Sequence, residues 1–255
     1  MAIAIGLVSL FGLAIGSFLN VCITRMPAGE SVVTPRSRCR SCRVPIAWFD
    51  NIPVVSYVAL GGRCRQCRAP IGVRYPIVEL TTAVAFALQA YVYLAMPALL
   101  GARLVLTSVL VILFWTDYEA LRLPNALTIP GTAAGVALSL FLPPGLAASL
   151  AGAALGGGLL YGLRWVWLRA TGVEGMGLGD VKMMAMVGAF LGWSQVIVVL
   201  FLASVAGAAV GLALVALKGR SMQSSLPFGT FLAASALVAS LVGDELFAWY
   251  IGTLP

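Results

Sequence analysis

The sequence predicts an all-α polytopic membrane protein, with about eight transmembrane helices and one small polar segment near the N-terminus. Three observations predict it. Of the 255 residues, 61% are hydrophobic and 10% charged, with a mean hydropathy of +1.01; a soluble domain carries roughly a quarter charged residues. The apolar residues fall into stretches of about 20, the length that crosses a bilayer. The charge is concentrated: Arg25–Pro76 holds nine arginines against two acids, Glu30 and Asp50, a balance of +7 that equals the net charge of the whole chain. An ordinary soluble enzyme, a disordered protein and a secreted disulfide scaffold are excluded. The chain has no histidine, which removes imidazole acid–base chemistry and His-ligated metal sites.

The first span runs from Ala2 to about Ile23. It lacks a basic n-region and a small-residue cleavage site, and it is too long for a signal peptide's apolar core, so it reads as a retained helix. The polar segment follows. Further spans are expected at about Ile77–Met96, Ala98–Trp115, Ala126–Leu142 and Leu146–Leu163. After a glycine-rich polar stretch, Val181–Leu217 gives 37 largely apolar residues, too many for one crossing. A short helix ending near Gly192, then a full one from about Val196, accounts for them. The last span covers about Phe228–Val242. The chain thus divides into a first transmembrane helix (1–24), a four-cysteine segment (25–76) and a helical membrane domain (77–255). Gly12/Gly16, Gly131/Gly135 and Gly152/Gly156 are small-xxx-small pairs that read as helix packing.

Orientation follows from the excess of Lys and Arg on cytoplasmic loops. Nine arginines place 25–76 in the cytoplasm and the N-terminus outside. Eight spans then put Arg122, the Arg164 and Arg169 pair, and the Lys218–Ser225 loop with Lys218 and Arg220 inside. Asp244 and Glu245 fall outside with the C-terminus.

Within the polar segment, Cys39-Arg-Ser-Cys42 and Cys64-Arg-Gln-Cys67 form two Cys-x-x-Cys knuckles separated by 21 residues. Zinc takes four thiolates in a tetrahedron, and two such knuckles supply them. The surrounding arginines favour thiolate. Each knuckle continues into Pro-Ile, Pro45-Ile46 and Pro70-Ile71, an internal echo that predicts a zinc-ribbon-like clasp of two turns. Disulfides are the rival, and a reducing cytoplasm opposes them. A closed four-thiolate site is structural rather than catalytic. Cys22, at a helix end, reads as a buried apolar residue.

Five acids, Glu79, Asp117, Glu119, Glu174 and Asp180, stand at or near predicted cytoplasmic span ends. Asp117 closes a span in Phe114-Trp115-Thr116-Asp117. Asp180 opens one after glycines at every second position, Gly175, Gly177 and Gly179. Glycine permits backbone shapes closed to other residues and lets a substrate strand approach, which makes Gly177 and Gly179 candidate substrate-binding positions. A carboxylate suits a helix N-terminus. Two aspartates sharing a proton can activate water and protonate a leaving amine. With no histidine, this is the hydrolytic chemistry most plainly available, and Asp117 and Asp180 are its candidates. The bland alternatives are an exposed span-end carboxylate for Asp117 and, for Arg122 and Lys182, phospholipid headgroup contact.

Taken together these residues resemble the type IV prepilin peptidases, membrane aspartic proteases of the GxGD type. The likeness is carried in order by Gly16-Ser17-Phe18-Leu19-Asn20-Val21, the two knuckles, Arg74-Tyr75-Pro76-Ile77-Val78-Glu79, Asp117 with Leu123-Pro124-Asn125, Gly177-Leu178-Gly179-Asp180-Val181-Lys182 with Gly188–Gly192, and Pro227-Phe228-Gly229. The resemblance implies a multi-pass protein of the bacterial inner membrane that cuts the basic leader from prepilins and pseudopilins, of pili or of type II secretion, at the cytoplasmic face. It implies methylation of the new N-terminus from S-adenosylmethionine, Asp117 and Asp180 as the catalytic pair, and structural zinc on Cys39, Cys42, Cys64 and Cys67. Glu79 is then a candidate for binding the new amine, or for capping its own helix. No dinucleotide-type glycine fingerprint accompanies the methyl donor. The family often has an acid where this chain has Asn125, which argues that this position is not an essential acid. It often has Asp where Glu119 stands, so Glu119 is a weaker rival to Asp117. Thr230 replaces a frequent Pro, a change read as minor.

The alternative is a membrane-anchored zinc module binding nucleic acid or anionic lipid through its arginines. It leaves Gly177–Asp180 without a role, and nucleic acid is not expected as a partner. A transporter would carry charges at mid-bilayer, and only Arg103 lies well inside a span. A presenilin-like GxGD protease would lack the cysteine segment.

Overall fold

The computed structural model describes residues 1–218 and 227–253. Among them the architecture is all-α: α1 (Ala2–Arg25), α2 (Val55–Ala59), α3 (Arg74–Tyr93), α4 (Pro97–Ala120), α5 (Asn125–Leu138), α6 (Leu146–Thr171), α7 (Leu178–Leu191), α8 (Trp193–Lys218) and α9 (Phe228–Gly252). Six of these, α1, α3, α4, α6, α8 and α9, are long and apolar enough to cross a membrane. α5 and α7 have 14 residues each, about 21 Å at 1.5 Å per residue, short of a hydrocarbon core of about 30 Å. The protein is a multi-pass membrane protein with six helices of spanning length and two shorter apolar ones.

Several helices outrun the hydropathy limits. α4 continues through Ala120, so Asp117 and Glu119 belong to its last turn rather than to a loop. α6 includes Arg164 and Arg169, and α9 takes in Asp244 and Glu245. Hydropathy marks where a helix leaves hydrocarbon; the backbone ladder continues into the polar zone because each further turn still satisfies its own N–H and C=O groups. Of the basic loop expected at Lys218–Ser225, all but the backbone of Lys218 lies outside the described residues.

The chain divides into two compact units, Met1–Ile112 and Leu113–Pro255, with the boundary inside α4. In the first, α1 and α3 pack side by side. A Cβ on Gly12 would stand 2.9 Å from Ala83 Cα, and one on Gly16 would stand 2.7 Å from Glu79 Cα, so this small-residue seam sets the approach of the two backbones. Leu19, Ile23, Val78, Phe86 and Ala90 are buried there. Asn20 Nδ2 donates to Tyr75 O at 3.1 Å.

In the second unit α7 is the centre. Met183, Met184 and every residue from Met186 to Leu191 are buried, because α5, α6, α8 and α9 all pack on α7. A helix apolar on all sides belongs in such a position. Gly152 of α6 and Gly188 of α7 leave no room for a Cβ on either. Gly192, at φ +89°, ends α7 where the sequence placed the break, and α8 follows at once.

Candidate active site and metal centre

Asp117 sits in the last turn of α4 and is buried, whereas Glu119 two residues on is exposed. Asp117 Oδ2 accepts the Thr230 N–H at 2.7 Å and the Thr230 hydroxyl at 3.2 Å, and the Gly229 N–H also points to this carboxylate. Gly229 and Thr230 form the first turn of α9, whose N-cap, Pro227, supplies no side-chain cap. The orphan N–H groups of a helix start need an acceptor, and Asp117 provides it from another helix. A Cβ on Gly229 would lie 2.9 Å from Asp117 Oδ2, so glycine is what lets the carboxylate come this close.

Asp180 lies in the first turn of α7, with Gly177 as N-cap. It is buried, and the Gly177 N–H donates to its carboxylate. This is the reciprocal half of a capping box, in which the third helical residue reaches back to the cap. Asp180 lies within electrostatic reach of Asp117. Leu123 joins the two regions. A Cβ on Gly179 would stand 2.9 Å from Leu123 Cβ, while one on Gly229 would stand 3.0 Å from Leu123 Cδ1. The two predicted aspartates are therefore brought together, the Asp117 carboxylate at the N-terminus of α9 and Asp180 at that of α7, ends that favour negative charge.

The glycine run is less open than its sequence implies. Gly175 lies against the Trp167 ring and Gly179 against Leu123, while Gly177 has no close neighbour beyond Asp180 and Gly179. Arg164 straps this loop to α6 by donating to Met176 O and to Glu174 Oε1, the latter at 2.6 Å. Lys182 Nζ donates to Asn125 Oδ1 at 2.9 Å, tying the start of α7 to the start of α5.

In the first unit the four cysteines converge. The Sγ atoms of Cys39, Cys42, Cys64 and Cys67 all lie within 4.8 Å of one another, with Cys39 and Cys67 at 3.8 Å. A tetrahedron with zinc–sulfur bonds of about 2.3 Å has edges of about 3.8 Å, so the donor set fits. The two knuckles are built alike. The Cys39 N–H donates to Val44 O and the Cys64 N–H to Ala69 O; Arg43 and Arg68 close each turn at φ +59°. Isolated bridges, Arg38 with Pro45 and Arg63 with Pro70, repeat the echo seen in sequence. N–H groups of Cys42 and Ser41 directed at Cys39 pull its thiol down to about 6, which suits a thiolate ligand. Cys22 is buried, as expected.

Glu79 is buried in the second turn of α3 and its Oε2 accepts the Val54 N–H at 2.7 Å. Its helix begins after Val73, too far back for Glu79 to cap it. A cavity of about 630 Å³ runs along α5, lined by Ile129, Ala133, Val136, Ala137, Leu140 and Lys182 among others. This apolar wall offers few partners for the adenine and amino-acid ends of S-adenosylmethionine and does not fit that donor.

Two family models match the chain. The bacterial peptidase A24 N-terminal domain matches residues 10–93, and the type IV leader peptidase family matches residues 104–212. The chain belongs to the type IV leader peptidase family. The "Prepilin leader peptidase/N-methyltransferase" of Aeromonas salmonicida (strain A449) is 38% identical, over 97% of this chain and 94% of the relative. Proteins of the same name from Pseudomonas putida (36% identical; 96% and 92% covered) and Klebsiella pneumoniae (42% identical; 76% and 88% covered) are also similar. No solved structure matches the chain. The leader peptidase match takes in both aspartates and stops before Gly229 and Thr230, the residues bonded to Asp117. Thr230 is what reading the sequence missed, having treated it as a minor replacement of Pro. A proline there would have neither the N–H nor the hydroxyl that Asp117 accepts. The signal that could have found it is a helix start, Pro227-Phe228-Gly229, without a capping side chain of its own.

Proposed function

We propose that this leader peptidase cleaves the leader from type IV prepilins and pseudopilins with Asp117 and Asp180 as its catalytic pair, and methylates the new N-terminus. The observation that carries the reading is the pair of buried carboxylates, one held by Gly229 and Thr230 at the start of α9 and the other by Gly177 at the start of α7. One carboxylate takes a proton from water as the water oxygen attacks the scissile carbonyl. The other, protonated, gives its proton to the amide nitrogen as the C–N bond breaks. The Gly177 backbone, with Gly179 beside it, is the expected track for the substrate strand. Glu79, already bonded by Val54, is a weaker candidate for the new amine. S-adenosylmethionine would supply the methyl group.

Eight crossings are proposed, with α5 and α7 completing the path of the six longer helices. The shortness of α7 is tolerable because it is wrapped by other helices. The excess of arginine in 25–76 places that segment and the aspartates in the cytoplasm and both termini outside, in the bacterial inner membrane. Zinc is the proposed occupant of the four thiolates, holding the segment's fold.

The test is to incubate the purified protein with a prepilin and labelled S-adenosylmethionine and to read cleavage and methyl transfer separately. Asp117→Ala and Asp180→Ala should each abolish cleavage. Near-wild-type cleavage by either variant would overturn the pair.

A further inference from the structure

The polar segment has an apolar face that neither peptide cleavage nor metal binding uses. α2 and the 3₁₀ turn Trp48–Asn51 form one small body: Ser56 Oγ donates to Phe49 O at 2.7 Å and accepts the Ile52 N–H at 3.1 Å. Ser56 is buried, while Val55 and Val58, three residues apart on one face of α2, are 62% and 71% exposed. Trp48 is 81% exposed, and Ile52 and Phe49 also face outward.

The depth of this body follows from one bond. Val54, the residue before α2, is held at φ +60°, a conformation uncommon for a β-branched residue. Its N–H is bonded to Glu79. Glu79 stands five residues into α3, about 7.5 Å along the axis from its start. With 20 residues, α3 is about 30 Å long, the thickness of the hydrocarbon core. Through Val54, α2 is thus tied at the level of the second turn of a spanning helix, whose own Ile77, Leu80 and Val84 are exposed. Amphipathic helices that lie in a bilayer surface bury their apolar face about 5–10 Å into the headgroup–acyl boundary. In the same polar segment, Arg36, Arg38, Arg40, Arg43, Arg63 and Arg68 are exposed. Arg65 pairs with Asp50 at 2.7 Å and stacks over Phe49.

We propose that the Trp48–Val58 face is a membrane-docking surface. α2 lies in the interface of the leaflet that α3 enters, with Val55 and Val58 among acyl chains, Trp48 at headgroup level, and the arginines on anionic lipid phosphates. Depth and charge both select a lipid surface: an apolar face tied to the second turn of α3, in a segment carrying a net charge of +7 with Arg65 on the face itself, matches an anionic bilayer. The cysteine segment is then pinned flat to the membrane through Glu79 rather than standing in water on two tethers.

The full-length protein is reconstituted in vesicles of phosphatidylglycerol and phosphatidylcholine, with lipid chains brominated near the glycerol or left unlabelled. The tryptophan added in Val58→Trp, read as the difference from the unaltered protein, should emit to the blue and lose intensity with brominated lipid. The component lost in Trp48→Phe should behave alike, and aqueous iodide should quench neither. Quenching of both by iodide and neither by brominated lipid would overturn the proposal. So would shielding that appears only after a prepilin is added, which would make this a protein-docking face. None of these readouts depends on the peptidase reading.

Discussion

Asp117 and Asp180 share burial and a bond to helix-start N–H groups with Glu79, and differ from it in lying within electrostatic reach of each other. Removing either should lower leader cleavage by at least about 10²-fold, the scale of one general acid or base. Glu119→Gln should leave cleavage within about twofold, because Glu119 is exposed and not buried with Asp117 and Asp180. A gel-shift assay on a purified prepilin separates the two outcomes. Thr230 allows a finer test. Thr230→Val keeps the N–H at 2.7 Å from Asp117 and removes the hydroxyl at 3.2 Å. A hydrogen bond to a charged group is worth about 1.5–3 kcal/mol, of which this longer bond represents the low end, so kcat should fall by about tenfold. An unchanged kcat would show that the backbone donor alone orients Asp117. The aspartates stand out as candidates by residue type and glycine context. Thr230 does not, because its role depends on the start of α9 meeting the end of α4, residues 113 positions apart.

At the scale of elements, the site is set by how closely α7 and α9 approach the loop after α4. Gly179→Ala should push against Leu123 Cβ, displace the first turn of α7 and reduce cleavage. Adding Leu123→Ala should restore part of the loss, because it vacates the contacted atoms. A double-mutant cycle on kcat/KM should show coupling of about 0.5–3 kcal/mol, and simple additivity would place the defect elsewhere. Gly188→Ala tests the helix seam, where Gly152 O occupies the space of a Cβ. It should cost about 1–3 kcal/mol of stability, seen as a lower thermal midpoint in detergent. The cysteine ribbon is the third element. One zinc per chain is expected by metal analysis, and Cys39→Ser should abolish it. That variant should damage the fold of the segment, or methylation, more than proteolysis; full folding and methylation after metal loss would rule out a structural role. The ribbon was legible because knuckle spacing is local. The ends of α4, α6 and α9 were not, because hydropathy reports the bilayer and not the hydrogen-bond ladder.

For the whole molecule, composition and charge pattern already specified a multi-pass membrane protein with its basic residues gathered in one segment. The order of helices, the break at Gly192 and the pairing of the four cysteines could also be read directly. Each depends on short-range rules: the length of an apolar run, a helix-ending glycine, the spacing of thiolates. Labelling of single introduced cysteines from either side of the membrane should place 25–76 and the 172–177 loop on one side, and a reporter fused at the C-terminus on the other; a split between the two loops would refute eight crossings. Tertiary structure alone decided that Thr230 and Gly229 hold Asp117, that Leu123 fills the space beside Gly179, and that Glu79 anchors Val54. These contacts join residues far apart in the chain through close approach, and close approach depends on which backbones pack. The sequence alone determined which residues have the chemistry for cleavage and for metal binding. The packing of helices determined which acids are buried together, because burial and proximity are properties of neighbours rather than of order along the chain.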